Sequence, residues 1–284
     1  MNVLLQISDP HFGTEQAPVV EALLDLIRSV RPSVLVVSGD ITQRARRAQF
    51  AAAKAFLDEI AIPNVVIVPG NHDIPLYNLA ARALQPYGNY RRAFGDDLEP
   101  LHQSNSLLVI GLNTTRPRRH KDGELSDEQI ERVARLLRRA TPEQLRIVVT
   151  HQPVHVIRDK DIANLLHGHE RAVRVWSEAG ADIMMGGHIH LPYMRPLSER
   201  FRDLPRETWA IQAGTATSRR VRDDIPNSVN LLHYPTDEAQ CCRAERWDFQ
   251  SEAGRFANVA NVEIQLDRAT SKVAELRTAE KTSY

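Results

Sequence analysis

Apolar residues along this chain come in short unbroken runs, and a polar cluster follows each of five of them. Residues 3–7, 34–37, 65–68, 147–149 and 183–185 are dominated by Val, Ile, Leu and Met and are too short for helices, which predicts buried strands. Between them the period changes. Val20, Leu23, Leu24 and Ile27 form a stripe at helical spacing behind Pro18, and Phe50, Ala53, Leu57 and Ile60 form another that Pro63 stops. A β-α-β-α-β start predicts a sheet that is parallel in its first half.

Further on, residues 107–112 read as a strand. Ser126 with Gln129 makes a capping box for a helix through Ile130, Val133 and Leu137, and residues 169–179 read as a helix closed by Gly180. Residues 74–100 keep no strong period and carry Pro75, Pro86 and Gly88, so irregular helix and loop are expected there. Beyond Pro196 the pattern turns to short strands at 208–213, 228–234 and 262–266. A run of strands without helices predicts a second, more antiparallel sheet packed on the first. The expected layout is one domain over residues 1–270, with motifs in 1–196, second-sheet strands in 197–270 and a polar tail at 271–284.

The clusters behind the five strands are Asp9-Pro10-His11, Gly39-Asp40, Gly70-Asn71-His72-Asp73, His151 and Gly187-His188-Ile189-His190. Ligands of an α/β sheet bind at the carboxyl ends of its strands, so one site is expected to collect all five. Carboxylates, imidazoles and one amide are the donor set of a metal centre rather than of an acyl-transfer triad.

This ordered set, D-x-H, G-D, G-N-H-[DE], H and G-H-x-H, resembles the calcineurin-like metallophosphoesterases over residues 2–196, and within them the bacterial class III cyclic nucleotide phosphodiesterases. The resemblance implies an α/β fold, a four-layer αββα sandwich of two mixed sheets, with a dinuclear metal site at the strand C-terminal ends. It also implies two divalent ions (Mn²⁺, Fe²⁺/Fe³⁺ or Zn²⁺), one held by Asp9, His11, Asp40 and His190, the other by Asp40, Asn71, His151 and His188. Asp40 has two carboxylate oxygens and can bridge ions a few ångströms apart. Two such ions acidify a bridging water, which becomes the nucleophile. His72 is then the spare imidazole and the expected general acid, with Asp73 orienting it or tuning its pKa.

Composition narrows the function classes. With 284 residues, 36 basic and 36 acidic, the chain offers no global attraction to nucleic acid or an acidic membrane. It has no apolar stretch that could span a bilayer, and it starts directly in a strand without a signal-like region, so a cytoplasmic protein is expected. Cys241 and Cys242 are adjacent and read as two free thiols.

Other histidines and charge runs rank lower. His155 is expected either near the substrate or in solvent, and His167 and His169 at a helix start read as capping or solvated. Residues 116–121, and Arg44, Arg46 and Arg47, read as solvated loops with a weaker option of holding a phosphate or base. Asn113 is a candidate to steady a metal ligand by a hydrogen bond.

The function expected is hydrolysis of a small-molecule phosphodiester, a 3′,5′-cyclic nucleotide such as cAMP. The alternatives are a phosphomonoesterase or another diester or diphosphate hydrolase on the same core, and a non-catalytic metal-binding scaffold. No nucleic acid or membrane partner is expected. By the family analogy, residues after Pro196 help form a homodimer or cap the site.

Overall fold

All five apolar runs form strands, and both expected helices separate the first three. In the computed structural model, which describes residues 2–234 and 241–267, the chain begins β1 (Asn2–Ile7), α1 (Ala17–Val30), β2 (Val34–Ser38), α2 (Arg47–Ile60), β3 (Asn64–Val68). Two short helices follow, α3 (Leu79–Leu84) and α4 (Gly88–Phe94), and then β4 (Leu101–Gln103), β5 (Leu107–Gly111), α5 (Asp127–Arg139), β6 (Leu145–Val149), α6 (His169–Ala179) and β7 (Ile183–Gly186). The last five strands are β8 (Tyr193–Pro196), β9 (Trp209–Gln212), β10 (Ser228–Tyr234), β11 (Cys241–Gln250) and β12 (Arg255–Gln265). The tail expected at 271–284 lies outside the described residues.

Two six-stranded sheets result, ordered β12-β11-β10-β1-β2-β3 and β4-β5-β6-β7-β9-β8. In the first, β1, β2 and β3 are parallel, as the opening pattern requires, and β10 pairs antiparallel with β1 from Asn2↔Tyr234 to Gln6↔Asn230. In the second, β5, β6, β7 and β9 are parallel between antiparallel edge strands β4 and β8.

This corrects the expectation for the C-terminal part. The strands at 228–234 and 262–266 extend the first sheet, while the second sheet is built from the middle of the chain and takes only β8 and β9 from residues after Pro192. The physical reason is alternation. Leu5 and Ile7 face α1 and α2, whereas Leu4 faces the other sheet with Leu232, Tyr234, Cys242 and Ile264 beside it. β10 continues the face that β1 begins.

Three apolar cores separate the four layers. Leu23, Ile27, Phe50 and Phe56 bury α1 and α2 on the first sheet; Ile130, Val133, Leu137, Val173 and Trp176 bury α5 and α6 on the second. Val34, Val36, Val66 and Val68 meet Val109, Ile147, Val149, Ile183 and Met185 between the sheets. The α5 capping box forms, with Gln129 N–H donating to Ser126 Oγ at 3.1 Å and Ser126 N–H to Gln129 Oε1 at 3.0 Å. Buried Gln6 crosses between the sheets, donating to Ser38 Oγ and to the Gly186 carbonyl, both at 3.1 Å. That link holds the ends of β1, β2 and β7 together where the polar clusters begin. No helix among the described residues is long and apolar enough to cross a membrane. Cys241 and Cys242 are free thiols.

Candidate metal centre

Five parallel strands from two sheets end on one edge of the sandwich, and the backbone turns sharply there. Asp9, His11, Asp40, His188 and His190 all have positive φ, between 46° and 72°. Non-glycine residues adopt this region rarely and at a cost, and such strain concentrates at functional sites. The neighbouring glycines make room. A Cβ on Gly39, itself at φ 92°, would strike the His151 ring, and one on Gly187 would strike Ser8 and Asp9.

Two donor groups form. Asp9, His11 and His190 make one; Asp40, His151 and His188 make the other, each with candidate ligand atoms within 4.8 Å of one another. His190 Nε2 lies 3.2 Å from Asp9 Oδ1 and 3.2 Å from His11 Nε2. His151 Nε2 lies 3.3 Å from Asp40 Oδ1 and 3.2 Å from Asn71 Oδ1. Asp40 spans the two groups, for its other oxygen is 3.8 Å from His11 Nε2. All seven expected ligands therefore converge.

Backbone carbonyls orient the rings. His151 Nδ1 donates to the Ser38 carbonyl at 2.8 Å and His190 Nδ1 to the Arg220 carbonyl at 2.6 Å. A carbonyl only accepts, so each Nδ1 carries the hydrogen and each Nε2 points inward as the donor of electrons to a cation. Asp9 Oδ1 and His188 Nδ1 are buried without a hydrogen-bond partner, and a buried polar atom left unpaired is costly. Divalent cations fit this set: carboxylate oxygen and neutral imidazole are their ligands, and they would satisfy those atoms.

The electrostatics divide the four rings. Burial pushes His11 and His188 down to about 3, so both are neutral, as ligation requires. Burial would raise the Asp40 carboxyl, but the charge on His151 outweighs it and holds Asp40 well below the usual range. In return Asp40 overcomes the burial of His151 and lifts its ring to about 9, so its Nε2 keeps a proton at neutral pH that a bound cation would displace, and Asp9 raises the His190 ring against its burial in the same direction.

His72 sits at the rim, half-buried, with Nδ1 donating to the Gln43 carbonyl at 2.9 Å and Nε2 facing Arg220 Nη1 at 3.1 Å. Asp73 does not orient that ring, contrary to expectation. Its carboxylate accepts the N–H groups of Ile41, Thr42 and Gly70 and the Thr42 hydroxyl, at 2.8 to 3.0 Å. The side chain turns inward beneath the loops because four donors wait there. Burial, then the nearby Asp40 charge, raises its pKa to about 6.

The opening above these residues holds about 620 Å³ and is lined also by His120, Lys121, Asp161, Arg220 and Arg222. The run 116–121 divides. Arg116 bonds Gln129, and Arg118 and Arg119 pair with Glu124, so only His120 and Lys121 reach the opening. Asn113 accepts from Thr115 within its own turn, and it is Thr114 Oγ1 that lies 3.4 Å from the His151 N–H. Arg220 was not legible in sequence. Its Nη1 is 3.4 Å from His11 Nε2 and 3.2 Å from Gln43 Oε1, placed by a loop whose charges follow no motif.

His155 is neither at the opening nor in solvent. It is 5% exposed, packs edge-on against Tyr193 and has both ring nitrogens unpaired. Burial, then the charge on Arg200, lowers its pKa from the usual 6.5. The native state thus binds fewer protons than the unfolded one as pH falls below about 6.5, and stability present above that value is lost progressively in acid. His155→Gln is expected to flatten the fall in Tm between about pH 7.5 and about pH 5.5 relative to the parent protein. Identical slopes for the two proteins would refute the assignment.

The chain belongs to the calcineurin-like phosphoesterase family, whose model matches residues 3–192. It is 26% identical over 179 residues to a probable cyclic nucleotide phosphodiesterase of Rhodococcus erythropolis, covering 60% of this chain but only 56% of that relative's length. It is 22% identical over 204 residues to another of that description from Synechococcus, covering 68% and 74%. Its fold is similar to that of a dimetal phosphatase from Danio rerio, with a TM-score of 0.65, 14% identity and 94% and 99% of the two chains covered.

Proposed function

We propose that the protein hydrolyses a phosphodiester and that 3′,5′-cyclic AMP is the substrate its metal end fits best. The observation that carries this reading is the pair of buried donor groups joined by Asp40, with one imidazole, His72, left over at the rim. Asp9, His11, Asp40 and His190 would hold one divalent ion, and Asp40, Asn71, His151 and His188 the other. When bound, such ions acidify water and offset the negative charge that builds at phosphorus, and Mn²⁺, iron and Zn²⁺ all accept this mixed donor set.

The remaining work falls to the chain's own groups. His72, in its imidazolium form and with Arg220 Nη1 drawn from Nε2 to the phosphate, would give the departing ribose oxygen the proton on Nε2, while Nδ1 stays engaged by Gln43. Arg220 would hold a phosphoryl oxygen on the same side through its guanidinium. Asp73 would act at one remove: it ties the ends of β2 and β3 so that the His72 N–H donates to Asp40 Oδ1 at 2.8 Å. The opening is of ordinary small-molecule size, and two relatives carry the name probable cyclic nucleotide phosphodiesterase.

A panel of cyclic nucleotides, linear diesters and monoesters, compared by kcat/KM in Mn²⁺, tests this. Turnover of cyclic AMP that a chelator abolishes is the expected result. Cleavage of monoesters with no turnover of any cyclic nucleotide would overturn the substrate, and no turnover of any ester would leave only a metal-binding scaffold.

A further inference from the structure

A second cleft opens beside the metal centre, and none of the proposed chemistry uses it. It holds about 580 Å³ between the start of α2 and the segment before α3, and Arg44, Arg46, Arg47, Tyr77, Asn78 and Asn89 line it. A neck of about 30 Å³ joins the two spaces. Arg44 and Leu76 border both the neck and the cleft, while Asn71, His72 and His120 border both the neck and the metal opening. The covalent path is as short. Gln43, whose carbonyl holds His72, directly precedes Arg44.

The charge of this cleft is one-sided. Its lining contains three arginines and no carboxylate, and none of the three has an ion-pair partner among the described residues. The chain as a whole is balanced, 36 basic against 36 acidic, so the excess is local. Two of the longer side chains are already ordered. Arg44 Nη1 donates to the Tyr77 hydroxyl at 2.6 Å, and its guanidinium lies 5.0 Å from the centre of that ring. Tyr77 is nevertheless 76% exposed. A pre-ordered guanidinium and a bare aromatic face suit a phosphate with an attached base: charge-assisted hydrogen bonds for the one, stacking for the other.

We propose that this cleft is a subsite for a second phosphate, so that the enzyme also cleaves short linear diesters that carry a terminal phosphate, such as a 5′-phosphorylated dinucleotide. The scissile phosphate lies at the metal end and the terminal phosphate reaches Arg44, Arg46 and Arg47 past the neck. A cyclic mononucleotide has one phosphate and fills the metal end only. The inference rests on the proposed hydrolase reading and extends its substrates.

The test compares pApA with ApA, a pair that differs only in the terminal phosphate, alongside cyclic AMP. The parent protein is expected to favour pApA over ApA by about thirtyfold or more in kcat/KM, with the preference shrinking as salt rises to about 0.5 M. The exposed triple variant Arg44→Gln, Arg46→Gln, Arg47→Gln is expected to lose that preference while its kcat/KM on ApA and cyclic AMP stays within about threefold. Equal rates on pApA and ApA in the parent protein would overturn the subsite, as would a preference that survives the triple substitution. Failure of the parent protein to cleave any of the three would instead bring down the hydrolase reading beneath it.

Discussion

Asp40→Ala is expected to strip the protein of both divalent ions and to lower activity by about a thousandfold or more. One carboxylate serves both donor groups, with Oδ1 at 3.3 Å from His151 Nε2 and Oδ2 at 3.8 Å from His11 Nε2. Without it, Asn71, His151 and His188 are left with no anionic ligand at all, and Asp9, His11 and His190 keep one. The substitution also frees the His72 N–H that Asp40 accepts. Elemental analysis after dialysis is the direct check. Added Mn²⁺ gives an independent one, since an ion that binds only the native state raises the Tm of the parent protein and leaves that of the variant unmoved. Loss of one ion with the other fully retained would show that Asp40 serves a single metal, and the bridge would fall. His151→Ala, by contrast, is expected to weaken mainly the ion on its own side.

The strands that carry the site were legible because strands buried on both faces are apolar without a break, and their carboxyl ends are where polar residues reappear. β11 shows why other elements were not. Its sequence alternates Cys242 and Ala244 with Arg243 and Glu245 and then carries Arg246 and Asp248. Both faces are mixed: Cys242 and Ala244 pack between the sheets on the face that also carries the Arg246–Asp248 pair, and the Arg243–Glu245 pair shares the other face with Trp247 and Phe249. No apolar run survives to be read. The assignment of the late strands to a second sheet failed for a related reason. The pairing Asn2↔Tyr234 joins residues far apart along the chain, and strand periodicity says which face is buried but not which strand lies beside it. In the site, donor types were visible and acceptors were not. Gln43, Ser38 and Arg220 orient His72, His151 and His190 through backbone carbonyls, which any residue type supplies. Asp73 looked like the partner of His72 because it is next in sequence; the backbone turn sends its carboxylate to four other donors instead.

His72→Ala is expected to lower kcat about a hundredfold or more on cyclic AMP, whose leaving ribose oxygen needs a proton. On a nitrophenyl diester the loss shrinks, because nitrophenolate departs without one. The contrast between leaving groups separates three roles for the same ring. If His72 only held a phosphoryl oxygen, both substrates would suffer alike and KM would rise with them. If it mattered only for assembling the centre, metal content would fall too, and elemental analysis of the variant would report it. The proposed protonating role rests on the position of the ring. Asn71 beside it takes the ligand position at 3.2 Å from His151, while the His72 ring faces the opening with Nε2 turned away from the Gln43 carbonyl. Arg220, 3.1 Å from that nitrogen, remains in the variant to bind phosphate. A large and equal loss on both substrates, with the ions retained, would therefore move the proton donor elsewhere, and His120 and Lys121 on the same opening are the groups that would have to supply it.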